Sequence, residues 1–126
     1  MPDLVRQSRK QARPEDAIVN AIRVELGATP GLILWRNGVG FSEVWDETRG
    51  TTRKQRFGLE RGSADLIGVY FGRFLALEVK QPGAKATAEQ LAWLAKVHGV
   101  GGFGCVVHSV EEAWAALDRC WIGARE

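Results

Sequence analysis

Long apolar runs are absent from this 126-residue sequence. Without a stretch near the roughly 20 residues that a bilayer demands, no membrane-spanning segment is expected. The N-terminus is polar and basic, so no secretory leader is expected either. Cysteine is scarce: Cys105 and Cys120 form no metal-ligand spacing, and each lies in an apolar or helical pattern that suits a small buried hydrophobe. That usage fits a reducing, cytoplasmic setting. A large excess of charge is missing too, the net being +2, and there is no internal repeat and no motif that reads base edges.

What is present suits one folded unit. Hydrophobic residues make up 45% and charged residues 25%, as in ordinary globular domains. The length allows one core and not two. The basic residues are clustered: Arg6, Arg9, Lys10 and Arg13 in the N-terminal 13 residues, then Arg49, Arg53, Lys54, Arg56 and Arg61 in a later stretch. Two such segments either grip a polyanion or are simply solvated. Residues 1–13 read as a basic, loosely attached arm and residues 14–126 as a single domain.

Pro14 suits a first helical position, and Ile18, Val19, Ile22 and Leu26 form one apolar stripe that ends at Gly27. Leu32–Trp35 reads as a buried strand. Residues 38–64 are long for a plain connection, and Phe41–Trp45 can pair with Thr51–Phe57 around Arg49-Gly50. Asp65–Phe71 and Arg73–Lys80 meet at Gly72-Arg73, which predicts a hairpin turn with glycine supplying the positive φ. Thr87 with Gln90 and Ser109 with Glu112 have capping-box spacing. The helices they start are expected to turn Leu91, Leu94 and Ala95, and Val110, Trp114, Leu117 and Trp121, inward. Phe103–His108 is a further strand. Both parities of the central strands are apolar, Leu66, Leu75, Leu77 and Val79 on one and Ile67, Val69, Phe74 and Ala76 on the other. A sheet apolar on both faces needs cover on both, so the expected fold is α/β, a layered mixed sheet flanked by helices in the order α-β-β-β-α-β-α.

The turn sets the chemistry. With Phe71 facing Phe74, Asp65 falls opposite Lys80 and Ile67 opposite Glu78, so Asp65, Glu78 and Lys80 share one face. A three-residue turn would flip Asp65 to the other. Two carboxylates with a backbone carbonyl and waters suit Mg²⁺ or Mn²⁺. Such an ion polarises a phosphoryl oxygen and acidifies a bound water, and a neighbouring lysine steadies the developing charge. The plainer alternative is a salt-bridge cluster at a sheet end. His98 and His108 have no partner at ligand spacing and read as helix-end residues. Trp93, Trp114 and Trp121 read as core or dimer-interface residues, and Trp45 either stacks on an unpaired base or packs on the surface.

Gly62-Ser63-Ala64-Asp65-Leu66-Ile67-Gly68 followed by Leu77-Glu78-Val79-Lys80 resembles the core of the PD-(D/E)XK nuclease superfamily. Arg36-Asn37 and the run from Lys85 through Thr87, Gln90, Trp93 and Leu94 resemble its VRR-NUC branch, in the short stand-alone forms of phages and bacteria. Ala64 stands where the superfamily name has proline. The resemblance implies a restriction-endonuclease-like fold. It implies Asp65, Glu78 and the Val79 carbonyl as metal ligands, Lys80 as the catalytic lysine, and Gln90 and Glu15 as supporting residues. Arg36, Asn37, Arg49, Arg53, Lys54, Arg56, Arg61 and Lys85 are then the expected DNA contacts, although Asn37 also suits a turn. The expected activity is a Mg²⁺- or Mn²⁺-dependent, structure-selective DNA endonuclease resembling Holliday-junction resolvases, acting as a homodimer on branched DNA. A flap, repair or restriction-type nuclease and a catalytically silent DNA-binding module are the alternatives.

Overall fold

The computed structural model describes residues 5–7 and 13–125, with side chains over residues 13–122. Arg9 and Lys10 of the expected arm lie outside the described residues. Of that arm, Val5–Gln7 forms a strand, β1, and Arg13 bonds the domain at Asp65.

Helix α1, Asp16–Leu26, starts two residues after Pro14 and buries Val19, Ile22 and Leu26 completely, as its stripe predicts. Strand β2, Leu32–Arg36, follows. The stretch after it folds as a hairpin of β3, Gly40–Asp46, and β4, Thr51–Phe57. The hairpin joins β1 in a separate three-stranded sheet ordered β1-β3-β4. Asp46 caps its tip by accepting from the Thr48 and Arg49 backbone amides.

The principal sheet adds β5, Leu66–Tyr70, β6, Arg73–Val79, and β7, Phe103–Val107, in the order β2-β5-β6-β7. The first three strands are antiparallel, and β7 runs parallel to β6 after crossing through helix α2, Ala88–Gly99. Helix α3, Val110–Arg125, closes the chain. The protein is a mixed sheet flanked by helices. One face carries Leu66, Leu75, Leu77, Val79, Phe103 and Val107 beneath α1 and α3, and the other carries Ala76 and Ile67 beneath α2. These are the parities read from the sequence, but cover is complete only on the first: on the α2 side Phe74 is 36% exposed, and Ile33 and Trp35 of β2, expected to be a buried strand, are 57% and 49% exposed beside Val69 and Ile67. Among the described residues no helix is long and apolar enough to cross a membrane.

The central turn differs from expectation by one step. Its two residues are Phe71 and Gly72, with φ of 46° and 82°, the positive pair of a type I′ turn. Phe71 bears this conformation, unusual for a side chain of its size, because it is held on three sides. Its N–H donates to the Gly31 carbonyl at 2.8 Å, and its ring packs on Tyr70 and Trp121. A Cβ on Gly31 would lie 2.3 Å from that ring. Tyr70 therefore faces Arg73, and Leu66 faces Leu77. The register moves two positions from the expected one, and a two-position move preserves every face.

Two inner faces also differ. Helix α2 buries Trp93, Leu94 and Val97 while Leu91 and Ala95 are exposed, because the stripe that meets Ala76 of β6 continues from Gln90. Helix α3 buries Ala113, Ala116, Leu117 and Cys120, and Trp114 is 40% exposed. Small residues let α3 lie close on the sheet, where an indole would hold it off. The Thr87–Gln90 capping box is complete. The Ser109 hydroxyl accepts from Glu112 N–H as expected, but the Glu112 carboxylate reaches one residue further back, to His108.

Candidate functional site

Asp65 immediately precedes β5, and Glu78 lies one residue from the end of β6. Continuing the ladder past Leu66–Leu77 sets Asp65 opposite Glu78, not opposite Lys80, and Ile67 faces Ala76. Both acids are buried among the strand ends on the α2 side of the sheet, Asp65 at 9% exposure and Glu78 at 2%. Asp65 is held by its Oδ2, which accepts the Val79 N–H at 2.9 Å. In an extended strand the N–H and C=O of a residue leave the same edge, so the Val79 carbonyl also faces the side of Asp65. Lys80, two residues beyond Glu78, places Nζ 3.7 Å from Glu78 Oε1, with its side chain 15% exposed. Asp65, Glu78 and Lys80 thus meet as the shared face requires.

The acids open into a cavity of about 210 Å³ lined by Arg13, Asn37, Val39, Arg61, Gly62, Ser63, Asp65, Glu78 and Gln90. Burial and the Asp65 charge push the Glu78 carboxyl up to about 8, against the opposing pull of Lys80 and Arg13. At neutral pH the pair therefore retains a proton, as two carboxylates do when they share a dry site.

Arg13 is the residue sequence reading did not find. Its Nη2 sits 2.8 Å from Asp65 Oδ1 and 3.4 Å from Asp16 Oδ1, and its backbone N–H donates to Asp16 Oδ2 at 2.8 Å. Arg36 Nη2 also holds Asp16 Oδ1, at 2.6 Å. Burial lowers the Arg13 pKa, but the Asp65 hydrogen bond and the nearby acids outweigh it and leave it raised. The Arg13 backbone bond is the first cause of the lowered Asp16 pKa. The Arg13 Nε is buried with no hydrogen-bond partner among the described residues. No pattern in the sequence joins Arg13 to Asp65 across 52 positions. The one available signal was a basic residue next to a helix start that carries two acids, Glu15 and Asp16.

The other expected site residues divide. Gln90 lines the cavity and also completes the α2 capping box, so both roles assigned to it are geometrically compatible. Glu15 is the half-buried N-cap position of α1, makes no capping bond, and acts on the site through its charge near Arg13. Asn37 lines the cavity, yet its amide is committed internally: it donates to Ser63 Oγ and the Ala64 carbonyl, both at 2.8 Å, and accepts from Leu59 N–H at 3.1 Å. Arg36 is turned to Asp16 rather than outward. Arg61 pairs with Glu89 at 3.1 Å on the cavity rim, and Lys85 is exposed. Arg49, Arg53, Lys54 and Arg56 lie on the β3–β4 hairpin and do not line the cavity. His98 bonds the Gly104 carbonyl, and His108 bonds Glu112 and the Ala84 carbonyl. Both are helix-end residues, as expected. The Glu112 hydrogen bond raises the His108 pKa. Cys120 is buried, and both thiols are free and pushed up by burial.

No protein-family model matches this chain, and no curated protein matches it. The case for a function therefore rests on the site itself.

Proposed function

We propose that this protein is a divalent-metal-dependent endonuclease acting on DNA, built on a restriction-endonuclease-like fold of the VRR-NUC type. The observation that carries the reading is the Asp65–Glu78 pair, buried face to face at the ends of two strands with Lys80 beside it and a solvent-open cavity in front. Buried charges of this kind are costly unless they are paired or bind a cation.

The residues fit Mg²⁺ or Mn²⁺. The donor set is all oxygen, two carboxylates and the Val79 carbonyl, which suits a hard cation that keeps some of its waters. Burial first and the Asp65 charge second hold the Glu78 carboxyl protonated, and a cation placed between the acids would favour its ionised form. Among the described residues no cluster of three His, Cys, Asp or Glu side chains is present, so carbonyl and water must supply the remaining positions. A bound ion contributes Lewis-acid polarisation of the phosphate and a more acidic water.

The chain's own groups do the rest. Asp65 is oriented by the Val79 amide. Lys80, tethered by Glu78, supplies positive charge for the phosphoryl oxygens, on which negative charge builds during attack. Gln90 presents an amide to the cavity. The basic hairpin and Arg61 supply backbone contacts that carry no sequence information. By analogy with the resembled family, the substrate is branched DNA and the working form a homodimer, each protomer cutting one strand.

One observation favours a second reading. Arg13 already occupies Asp65 Oδ1, as a permanent substitute for a metal would in a catalytically silent DNA-binding module. Cleavage of labelled four-way junction, flap, duplex and single-stranded DNA with Mg²⁺, Mn²⁺ or EDTA separates the two. A nuclease cuts at least one substrate with metal, and Lys80→Ala binds it uncut. DNA binding without cleavage under every metal condition sinks the nuclease reading and leaves the module.

A further inference from the structure

Arg13 is held firmly at its backbone and loosely at its head. Its N–H donates to Asp16 Oδ2 at 2.8 Å, and its carbonyl accepts the Asp16 N–H at 3.0 Å. Both bonds fix the chain where α1 begins, and neither involves the guanidinium. The guanidinium reaches Asp65 Oδ1 at 2.8 Å and Asp16 Oδ1 at 3.4 Å, both through Nη2. The second contact is the weaker, because Arg36 already holds that Asp16 oxygen at 2.6 Å. The Arg13 Nε–H is buried and has no acceptor among the described residues. A buried donor left unpaired is costly, so the arrangement satisfies Asp65 at the expense of the arginine.

Asp65 does not depend on Arg13 for its place. Its Oδ2 accepts the Val79 N–H, a fixed backbone donor. Oδ1 is the oxygen with a movable partner, and a cation set between Asp65 and Glu78 would compete for it. A guanidinium and a divalent cation carry like charge and repel at such range. On release, the Arg13 head stays at the wall of the cavity, since its backbone remains tied to Asp16. The acceptor it loses must then be replaced by another anion. Among the cavity-lining residues Arg13 and Arg61 carry positive charge, and Arg61 is engaged by Glu89 on the rim. The Arg13 side chain is 35% exposed, within reach of a phosphate brought against the acids. Its planar donors match phosphate oxygens two at a time.

We propose that Arg13 is a phosphate-binding residue released by a divalent cation: it neutralises Asp65 in the metal-free protein and grips the scissile DNA phosphate once the cation is in place. This rests on the nuclease reading and names the group that holds the reacting phosphate. It also makes the Asp65 contact temporary, where a silent binding module would need it permanent.

Fluorescence anisotropy of a labelled four-way junction tests it, with Lys80→Ala as the parent so that the strands stay whole. Binding is compared at matched ionic strength in EDTA and in Mn²⁺. A contact made only beside the cation predicts that adding Arg13→Gln weakens binding about tenfold in Mn²⁺ and less than about threefold in EDTA. A merely structural ion pair predicts the reverse order, because without metal the bare Asp65 charge would repel the phosphate and Mn²⁺ would mask it. Arg13→Lys, which keeps the charge without the fork, should hold its affinity in EDTA, showing the fold intact, and lose about threefold in Mn²⁺. Equal losses in the two conditions, a larger loss in EDTA, or no loss in either would each overturn the phosphate role while metal-dependent cleavage by the wild type still stands. Absence of that cleavage overturns both readings.

Discussion

Replacing Glu78 with Gln should stabilise the metal-free protein, increasingly so as pH rises. The Glu78 carboxyl stands at about 8 against an ordinary value of 4.5. A group whose folded pKa is raised contributes stability that is full below the unfolded value and is lost as pH climbs through the folded one. From pH 5 to pH 8 the native state must therefore either keep its proton, at growing cost, or bury a second carboxylate beside Asp65. A shift of about 3.5 units at about 1.4 kcal/mol each sets a ceiling of about 5 kcal/mol. Glutamine retains the shape and removes the titration. At about 3–5 °C per kcal/mol for a domain of this size, the melting temperature of Glu78→Gln should exceed that of wild type by about 10 °C or more at pH 8, with the gap closing near pH 5. Thermal denaturation in EDTA across this range measures it, and the titrating groups remote from the acid pair cancel because both proteins share them. Millimolar Mn²⁺ should raise the wild-type curve at pH 8 and leave the variant nearly unmoved. Parallel pH curves for the two proteins would refute the argument that the acid pair is electrostatically crowded.

Removing the guanidinium with Arg13→Gln should tighten Mn²⁺ binding in the absence of DNA by about fivefold, since a half-buried ion pair of about 1 kcal/mol no longer competes for Asp65; titration calorimetry reads this directly, and unchanged or weaker affinity would count against competition. Leu66→Ala deletes a fully buried side chain at the centre of the main core and should cost about 2–5 kcal/mol in urea denaturation. Gly31→Ala should be more damaging than its size suggests, because the new methyl meets the Phe71 ring and the backbone holds φ at 82°. A loss of under about 1 kcal/mol there would show that Phe71 is free to move.

The acid pair was legible in the sequence even though its register was not. Placing the turn at Gly72-Arg73 instead of Phe71-Gly72 shifted every partner by two, and strand periodicity forgives an even error. Glycine drew the assignment one residue late, because the neighbour that also adopts a positive φ is a phenylalanine, held there by Gly31 and Trp121 through contacts formed only in the folded chain. The inner faces of α2 and α3 were misread for a related reason. Trp114 and Leu91 have the spacing and hydropathy of core residues, but α3 turns Ala113, Ala116 and Cys120 to the sheet in place of Trp114, and α2 is rotated so that Trp93 and Val97 go inward in place of Leu91. Arg13 was illegible because its partner is fixed by tertiary folding alone. The β3–β4 hairpin, by contrast, was visible from alternation around Arg49-Gly50.

Asn37 has a consequence for how this protein tolerates change. Its side chain fastens the segment returning from β4 at Leu59, Ser63 and Ala64, and its backbone N–H donates to the Asp65 carbonyl at 2.8 Å. The β3–β4 hairpin, a two-stranded ribbon, is thus stapled at its base, next to the acids, while its tip at Arg49-Gly50 is held by bonds to Asp46. Insertions, deletions or grafted sequences at the tip should leave the acid pair undisturbed, so the reach of the ribbon can be altered as an independent part. A change at Asn37 should loosen both parts at once.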